Sequence, residues 1–386
     1  AQAGLEMLKQ GGNAVDAAVA TGFAISVVEP HNTSIAGVGL MLIHLETGAG
    51  KFPPGTDLSI EFGPRAPSVA HPEMYDITGP GTGISTYEVE GNENVEGYRS
   101  IAVPGTAAGL CVAHELLGTL PLEQVLEPAI HLAQDGFDVY WLLSLMIGSS
   151  MVGLQRYQGS REIFVPNGVP PDYTPDPSSP NTDSHRLVQS DLADVLKRIA
   201  KLGRAGMYKG EVANAVAEDM QRHGGLITTA DLEKYEPAVK VPLKTGYRDF
   251  QVLSPTAPCG SWTALQTLNI LQNTNVHSMK HGSVEHMHTF IEGARHAFAD
   301  RFRYMGDPDF EQVPLKGLLS KGYAKLIAEQ IDAEEAQIEK LSSEPPWTYF
   351  SSNTIHDPWP FDGRSNPMSP TIESTSNLSD CTTHLG

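Results

Sequence analysis

The sequence predicts a layered fold in which helices pack on sheets, of the α/β or α+β class. Two observations lead to this prediction. Segments with helical periodicity alternate with short apolar strands, and those strands are bounded by glycine turns. A third observation, 386 residues of which 40% are hydrophobic, indicates a chain that buries a large core. The pattern does not fix the order of the strands.

The chain begins with two predicted helices separated by a glycine break at Gly11-Gly12. Asn13 can cap the second helix, and Asp16 lies three residues later in the capping-box position. The second helix is almost entirely small and apolar, which predicts a buried helix that a neighbouring sheet can approach closely.

Strands are predicted at three further places. Residues 36–48 (AGVGLMLIHLETG) predict a glycine turn that leads into an apolar strand. Residues 97–110 (GYRSIAVPGTAAGL) predict a strand, a Pro104-Gly105 turn and the start of a helix. Residues 245–262 (TGYRDFQVLSPTAPCGSW) predict a strand, a proline-rich turn and another helix start.

The remaining helices follow from spacing and from end signals. They are predicted within residues 121–137, with Pro128 inside and Gly136 at the end, and within 190–203, 210–225 and 228–237. The clearest helix begins near Val284. Its apolar residues repeat at three and four positions: Val284, Met287, Ile291, Ala294, Phe298, Phe302 and Met305.

The composition of the sequence changes near Leu341. Residues 341–380 are rich in Pro, Ser and Asn and show no period, which predicts a long loop or linker. Long stretches of this kind beside a compact body are often functional or processed. This one leads directly to Thr382.

Charge excludes two classes of partner. Lys and Arg number 26 against 46 Asp and Glu, so the formal net charge is −20. Nucleic acid and anionic membrane surfaces both require a basic patch, so neither is an expected partner. No apolar run approaches the length of a membrane span. The sequence opens without Met and without a signal peptide, so the true start is expected to lie upstream.

The three cysteines, Cys111, Cys259 and Cys381, fit neither a C-x-x-C metal clip nor a disulfide framework. They are expected to be free thiols. Five histidines between His277 and His296 raise the question of a metal site, but no Cys or carboxylate cluster joins them. We therefore expect no metal and no cofactor.

Seven collinear stretches resemble the γ-glutamyltranspeptidase family of N-terminal nucleophile hydrolases. They are GGNAVDAAVA (11–20), AVPGTAAGL (102–110), PLEQVLEPAIHLAQDGF (121–137), GGLITTADLEKYEP (224–237), SPTAPCGSW (254–262), EGARHAFADRFRYMGDPDF (292–310) and TTHLG (382–386). The resemblance covers essentially the whole chain, in order.

The resemblance implies an α+β fold with four αββα layers, incomplete here because most of a small chain is missing. In the family a precursor cuts itself before a threonine, which places the cut between Cys381 and Thr382. Residues 1–340 are then the body of the large chain, 341–381 the Pro/Ser-rich loop that leads to the cut, and 382–386 the start of the small chain. The compartment stays open among secreted, periplasmic and membrane-associated settings.

A threonine at a new N-terminus can be both nucleophile and general base, because its α-amino group has a pKa of about 7.7–8.0. The resemblance implies that the Thr382 hydroxyl first attacks the Cys381 carbonyl and forms an ester that water opens. It then attacks a substrate amide to give an acyl-enzyme. His384 could serve as a general base, but this mechanism does not require it, and a packed or strand-facing histidine is expected. No role is assigned to Thr383.

The family also carries an arginine that holds the α-carboxylate of the substrate, a task that suits a planar guanidinium. In the corresponding stretch, IEFGPRAPSV, that position is Gly63, and Arg65 lies two residues later. Two residues along a strand keep the same face, so Arg65 is the candidate substrate-binding residue. Gly37 and Gly39 are expected to serve tight packing behind the site and not phosphate binding.

Three functions stay open at this stage. The first is a self-processing enzyme that hydrolyses or transfers a γ-glutamyl group from a small amide substrate of the glutathione type. The second is an acylase or amidohydrolase of the same fold that acts on a different acyl group, which the Gly63 departure favours. The third is a processing-dead scaffold. The first two need the small chain from the same precursor as a partner.

Overall fold

The computed structural model describes residues 1–81, 87–173, 185–336 and 357–362. These residues form a mixed helix and sheet structure, which confirms the α+β class. The helices are α1 (Gln2–Lys9), α2 (Ala14–Val28), α3 (Thr106–Leu117), α4 (Leu122–Gln134), α5 (Trp141–Ser149), α6 (Met151–Arg156), α7 (Gln158–Phe164), α8 (Ser190–Leu202), α9 (Ala205–Tyr208), α10 (Gly210–Arg222), α11 (Thr229–Lys234), α12 (Trp262–Leu271), α13 (Val284–Tyr304), α14 (Leu315–Leu318) and α15 (Lys321–Ala328).

The strands are β1 (Gly39–Leu45), β2 (Thr56–Phe62), β3 (Ile77–Pro80), β4 (Tyr87–Val89), β5 (Phe137–Asp138), β6 (Arg186–Leu187), β7 (Ala238–Lys240), β8 (Leu243–Tyr247) and β9 (Phe250–Ser254). Strands β1, β2 and β7 form an antiparallel sheet with β2 in the centre. The other described strands pair as two-stranded ribbons. The four-layer αββα arrangement stays a prediction.

The capping box at the start of α2 is confirmed. The Asn13 side chain accepts hydrogen bonds from the backbone N–H groups of Val15 and Asp16, and Asp16 accepts one in return from Asn13 N–H. Gly11 has a φ of +88°, a conformation that favours glycine and ends α1. Helix α2 then packs against α1, α3 and α4, and α4 packs against α8, so the predicted buried helix lies within the main core.

Asp16 also ties α2 to the turn between α3 and α4. Its carboxylate is fully buried and accepts hydrogen bonds from Thr119 N–H, Thr119 Oγ1 and Leu120 N–H. Burial alone raises the pKa of the Asp16 carboxyl, but the hydrogen bonds from Thr119, Asn13 and Leu120 together outweigh it. They hold the pKa below its ordinary value of 3.8.

Two of the strand predictions need correction. Within 97–110, residues Tyr98–Ser100 form a short 3-10 turn, and only Val103 makes a β-bridge, to Arg65. Among the described residues, this single bridge is the only β-pairing of the segment, which is too little for a strand. Within 245–262 the sequence predicted one strand, but the structure has two. Strands β8 and β9 form an antiparallel hairpin that turns at Arg248-Asp249.

Helix α13 is confirmed, but most of its apolar repeat faces outward. Val284 is 82% exposed, and Met287, Ile291, Phe298 and Phe302 are between 42% and 48% exposed. The opposite face carries Thr289, Glu292, His296 and Asp300, and it is buried. Helix α13 packs against α12, and the Asp300 carboxylate accepts a hydrogen bond from Tyr323 on α15. The repeat therefore marks a surface that the described chain leaves without cover.

The described part of the Pro/Ser-rich stretch is residues 357–362. Trp359–Asp362 form a 3-10 turn that contacts α14, and Trp359 belongs to the core formed around α12, α13 and α15. The remainder of 341–386 lies outside the described residues, and the predicted division at 340 and 381 stays a prediction. Among the helices that the structure describes, none has the length and apolar character of a membrane span.

We expect Asp16→Asn to lower the free energy of unfolding by about 3 kcal/mol at pH 7, because an amide nitrogen then faces buried N–H donors. The deficit should shrink below about pH 4. A carboxyl whose folded pKa is depressed stabilises the fold above its unfolded pKa of 3.8 and loses that contribution as the pH falls through the folded value.

Urea unfolding at pH 7 and at pH 3 measures both effects. The control is Asp194→Asn, whose side chain is 72% exposed in a surface pair with Lys197 and which should change stability by less than about 0.5 kcal/mol. Equal losses in the two variants would contradict the role of Asp16.

Candidate active site

The loop that follows β2 is held at both ends and in the middle. The Tyr235 hydroxyl donates to Gly63 O at 2.7 Å. Arg65 exchanges two backbone hydrogen bonds with Val103, at 2.8 and 3.4 Å. Ser68 N–H donates to Asp231 Oδ1 at 2.9 Å. These contacts define the pinned loop, residues 63–68, as a segment with a fixed backbone.

Glycines allow the chain to pack tightly behind the pinned loop. A side chain at Gly109 would place its Cβ 2.1 Å from the Phe62 ring, and one at Gly39 would place it 2.4 Å away. A Cβ at Gly105 would lie 2.3 Å from both Phe62 O and Tyr235 Oη. The packing role predicted for Gly39 is confirmed. Gly37 contributes through its carbonyl, which accepts from the N–H groups of Gly105 and Thr106 at the start of α3.

Tyr235 is a buried donor at neutral pH. Burial raises the pKa of Tyr235 to about 12, against the opposing effect of the Arg65 charge. Its ring stacks on Tyr208, whose hydroxyl donates to Pro104 O at 2.9 Å. Two buried tyrosines therefore fix the backbone at Pro104, in the turn that begins α3, and at Gly63, directly after β2. The Tyr235 hydroxyl keeps its proton for the bond to Gly63.

Arg65 lies on the pinned loop with its side chain exposed. Within the described ranges no carboxylate forms a salt bridge with its guanidinium. The sequence led us to expect Gly63 and Arg65 on the same face of one strand, and this expectation is wrong. Strand β2 ends at Phe62, and Arg65 forms an isolated bridge with Val103 instead of continuing the sheet. The fixed part of Arg65 is its backbone, and its charge remains available for a ligand.

The structure leaves room for a side chain at Gly63. A Cβ built there meets no atom within 4 Å, and the residue does not adopt a positive φ. The absence of an arginine at that position is therefore not imposed by packing.

A buried acid supports the end of β2. Glu61 Oε2 lies 2.9 Å from Lys240 Nζ, and Glu61 Oε1 accepts from Thr256 N–H at 2.7 Å. Glu61 thereby joins β2 to β7 and to the turn that precedes α12. Sequence reasoning missed Glu61 and Tyr235, although Tyr235 lies within the quoted stretch 224–237 and Glu61 within IEFGPRAPSV. Tyr235 acts on Gly63, 172 residues away, and Glu61 acts on Thr256, 195 residues away, so no local pattern indicates either role.

Several predicted site residues lie outside the described residues. These are Cys381, Thr382, Thr383 and His384. Cys111 and Cys259 are free thiols. Burial raises the pKa of the Cys111 thiol to about 12, so it is not a nucleophile at neutral pH. In the part of the chain that the structure describes, no group of three His, Cys, Asp or Glu side chains has metal-binding geometry.

Comparison with known proteins gives one consistent result. The model of the family described as Gamma-glutamyltranspeptidase matches residues 1–378. A glutathione hydrolase proenzyme of Escherichia coli is 37% identical over 341 residues, which are 87% of this chain and 54% of that protein. An acylase ACY 1 proenzyme of Pseudomonas sp. strain SE83 is 37% identical over 336 residues, 87% of this chain and 57% of that protein.

A solved structure agrees with the sequence matches. The crystal structure of Helicobacter pylori gamma-glutamyltranspeptidase superposes with a TM-score of 0.77 at 32% identity, and the match covers 86% of this chain and 89% of that one. The cephalosporin acylase of Bacillus halodurans gives 0.73 at 27% identity, covering 86% and 58%. The chain spans a little more than half the length of the curated relatives it matches.

We expect Tyr235→Phe to loosen the pinned loop without unfolding the protein. The loss of one buried hydrogen bond of about 1 kcal/mol should speed amide exchange at Arg65 and Ser68 roughly fivefold. Hydrogen–deuterium exchange with mass spectrometry measures this. Tyr140→Phe removes a hydroxyl that bonds Val28 O on another side of the core, and it should leave both amides unchanged. Unchanged protection in Tyr235→Phe would show that the loop is held by other contacts.

Proposed function

This chain belongs to the gamma-glutamyltranspeptidase family, and from that membership we propose that it is the larger part of a self-processing N-terminal threonine hydrolase. The proposed reaction is hydrolysis or transfer of a γ-glutamyl group from a small amide of the glutathione type. The observation that carries the γ-glutamyl assignment is the exposed guanidinium of Arg65 on the pinned loop, within a chain that matches the family model over 1–378.

Thr382 is the proposed nucleophile. In the uncut precursor its hydroxyl attacks the Cys381 carbonyl, and the peptide C–N bond breaks, which forms an ester and frees the Thr382 amine as that nitrogen takes up the hydroxyl proton. Water then hydrolyses the ester and frees the Thr382 hydroxyl and the Cys381 carboxylate. That amine, with a pKa of about 7.7–8.0, can accept the hydroxyl proton when Thr382 attacks the substrate amide. The amine of the substrate leaves, and water or a second amine then resolves the acyl-enzyme. Oxyanion donors are proposed to come from the small chain.

Arg65 is the proposed partner of the substrate α-carboxylate. A guanidinium can bind a carboxylate through two parallel hydrogen bonds, and the pinned backbone lowers the entropy lost on binding. The charge of Arg65 is not neutralised by a salt bridge within the described residues, so a carboxylate can pair with it without displacing a protein acid.

The small chain from the same precursor is the proposed cover for the outward apolar faces. One such face is the repeat on α13. Another lies on the edge strand β1, where Leu40 and Leu42 are 45% and 41% exposed. The length missing relative to the curated relatives supports this proposal, because exposed apolar area on a strand edge and on a long helix is normally covered in the complete protein.

The second candidate is an acylase that acts on an acyl group without an α-carboxylate. The glycine at position 63 favours it, as do the acylase proenzymes among the relatives. Both candidates use Thr382 in the same way and differ only in what the pinned loop recognises.

We expect the complete precursor to yield two fragments, one ending at Cys381 and one beginning at Thr382, whereas Thr382→Ala should stay uncut because it lacks the hydroxyl nucleophile. Intact mass after purification gives both results. Thr382→Ser is the matched control and should still be cut. A wild-type precursor that stays uncut would contradict self-processing and would favour the hypothesis of a processing-dead scaffold.

We expect Arg65→Gln to lower kcat/KM for a γ-glutamyl anilide by roughly 30- to 150-fold, the equivalent of 2–3 kcal/mol for a charged hydrogen-bonded contact. Rates on an acyl anilide without an α-carboxylate should not change. Arg161→Gln on α7 is the control for loss of a positive charge. If the wild type turns over only the carboxylate-free substrate, the acylase assignment replaces the γ-glutamyl one.

A further inference from the structure

Helix α11 contacts the pinned loop from both of its ends. The helix carries Asp231 in its first turn and is followed directly by Tyr235. The Asp231 carboxylate accepts from Ser68 N–H at 2.9 Å, and the Tyr235 hydroxyl donates to Gly63 O at 2.7 Å. The two side chains are four positions apart, so they leave the same face of the helix. Arg65 lies in the loop between the two contacts.

The two carboxylate oxygens of Asp231 bind different partners. Oδ2 accepts from Thr228 N–H at 2.9 Å and from Thr228 Oγ1 at 2.7 Å, which closes the capping box that begins α11. Oδ1 accepts from Ser68 N–H, which lies 163 residues earlier in the chain. The capping box uses one oxygen, so the bond to the pinned loop is a contact that the start of the helix does not require.

The Asp231 side chain is charged at neutral pH. Burial raises the pKa of its carboxyl, but the hydrogen bonds from Thr228 and Ser68 outweigh burial and hold the pKa below the ordinary value of 3.8. A hydrogen bond to a charged acceptor is stronger than one between neutral groups. The carboxylate is therefore a firm hold on the far end of the pinned loop.

Helix α11 is itself fixed to the body of the protein. Leu232 is 1% exposed and Tyr235 is 4% exposed, and both belong to the main core. Arg204, directly before α9, forms a salt bridge with Glu236, directly after Tyr235. The helix can therefore impose its own geometry on the exposed loop that it contacts.

We propose that Asp231 is a positioning residue for recognition of the substrate α-carboxylate. Through Ser68 N–H it holds the chain that follows Arg65, while Tyr235 holds the chain that precedes it at Gly63. This inference rests on the proposed function. Loss of the Asp231 contact releases the far end of the pinned loop, which must then be ordered whenever a carboxylate binds. That cost weakens substrate binding and leaves the chemical step unchanged.

The first test measures KM and kcat of the complete two-chain enzyme on a γ-glutamyl anilide. Asp231→Ala should raise KM roughly fivefold and leave kcat within a factor of about two. Its KM on an acyl anilide without an α-carboxylate should not change. Asp231→Asn keeps the volume of the side chain and one acceptor oxygen, so it should fold even if the alanine variant does not. Its uncharged oxygen bonds more weakly, and KM should rise about two- to threefold.

Thr228→Ala is the matched control. It removes the hydroxyl from the capping box and weakens the start of α11, but it leaves the bond between Asp231 and Ser68 in place. KM on the γ-glutamyl anilide should stay within a factor of about two of the wild-type value.

The second test requires no turnover. Hydrogen–deuterium exchange at the Ser68 amide should be roughly tenfold faster in Asp231→Ala than in the wild type. Thr228→Ala should leave that amide unchanged and speed exchange only at the start of α11. Saturating glutamate should restore most of the protection in Asp231→Ala, because a carboxylate bound to Arg65 orders the loop. A contact with a purely structural role predicts faster exchange that glutamate does not reverse.

A wild-type KM in Asp231→Ala and Asp231→Asn would overturn the positioning role while leaving the γ-glutamyl assignment intact. An equal rise in Asp231→Ala and Thr228→Ala, or an equal rise on the two anilides, would do the same. A wild-type enzyme that turns over only the carboxylate-free anilide would overturn the γ-glutamyl assignment, and the role of Asp231 would fall with it.

Discussion

The close packing of the Phe62 ring against α3 and β1 is the constraint on which the rest of the candidate site depends. Gly109 and Gly39 leave space for the ring, and Gly105 leaves space for the backbone of β2 as it ends. A methyl group at Gly109 or Gly39 would clash with the Phe62 ring, and one at Gly105 would clash with the backbone oxygen of Phe62, in an interior that is packed like an organic crystal. The start of α3, the turn at Pro104 and the origin of the pinned loop are consequently fixed relative to one another.

Buried polar groups connect this packing to distant parts of the chain. Asp16 holds the α3–α4 turn to the start of α2, Glu61 holds β2 to the turn before α12, and Tyr235 holds Gly63. Each of these buried polar groups is hydrogen-bonded, so each fixes the relative position of the two elements that it joins. The pinned loop therefore presents Arg65 from a rigid support, and the outward faces of α13 and β1 are the surfaces that we propose the small chain covers.

Local signals predicted the helices that carry clear caps or spacing, and missed α5, α6, α7, α14 and α15. The Asn13 and Asp16 capping box, the spacing of α4 and α8 and the glycines after α1 and α4 are set by residues a few positions apart, so the sequence contains the whole signal. The strand predicted near Ser100 failed because a short apolar run does not show whether a sheet edge is available to it. The repeat on α13 predicted a helix but not the partner of its apolar face.

The residues of the candidate site were harder to predict from sequence patterns than the helices of the fold. Thr382 and Arg65 came from resemblance to a family, since neither a Thr-Thr-His run nor a lone arginine indicates a nucleophile or a carboxylate site. Tyr235 and Glu61 act on residues far away in the sequence, and only the folded chain brings them together. The same is true of Gly317, where the need for glycine arises from the backbone oxygen of Pro358, which would lie 2.0 Å from a Cβ at this position.

The most direct test of the account is a crystal structure of the complete two-chain protein with glutamate bound. The account predicts that the guanidinium of Arg65 contacts the α-carboxylate through two nitrogen–oxygen distances of about 2.7–2.9 Å, while the γ-carboxyl carbon faces the Thr382 hydroxyl. A glutamate held by other residues, with Arg65 directed to solvent, would contradict it.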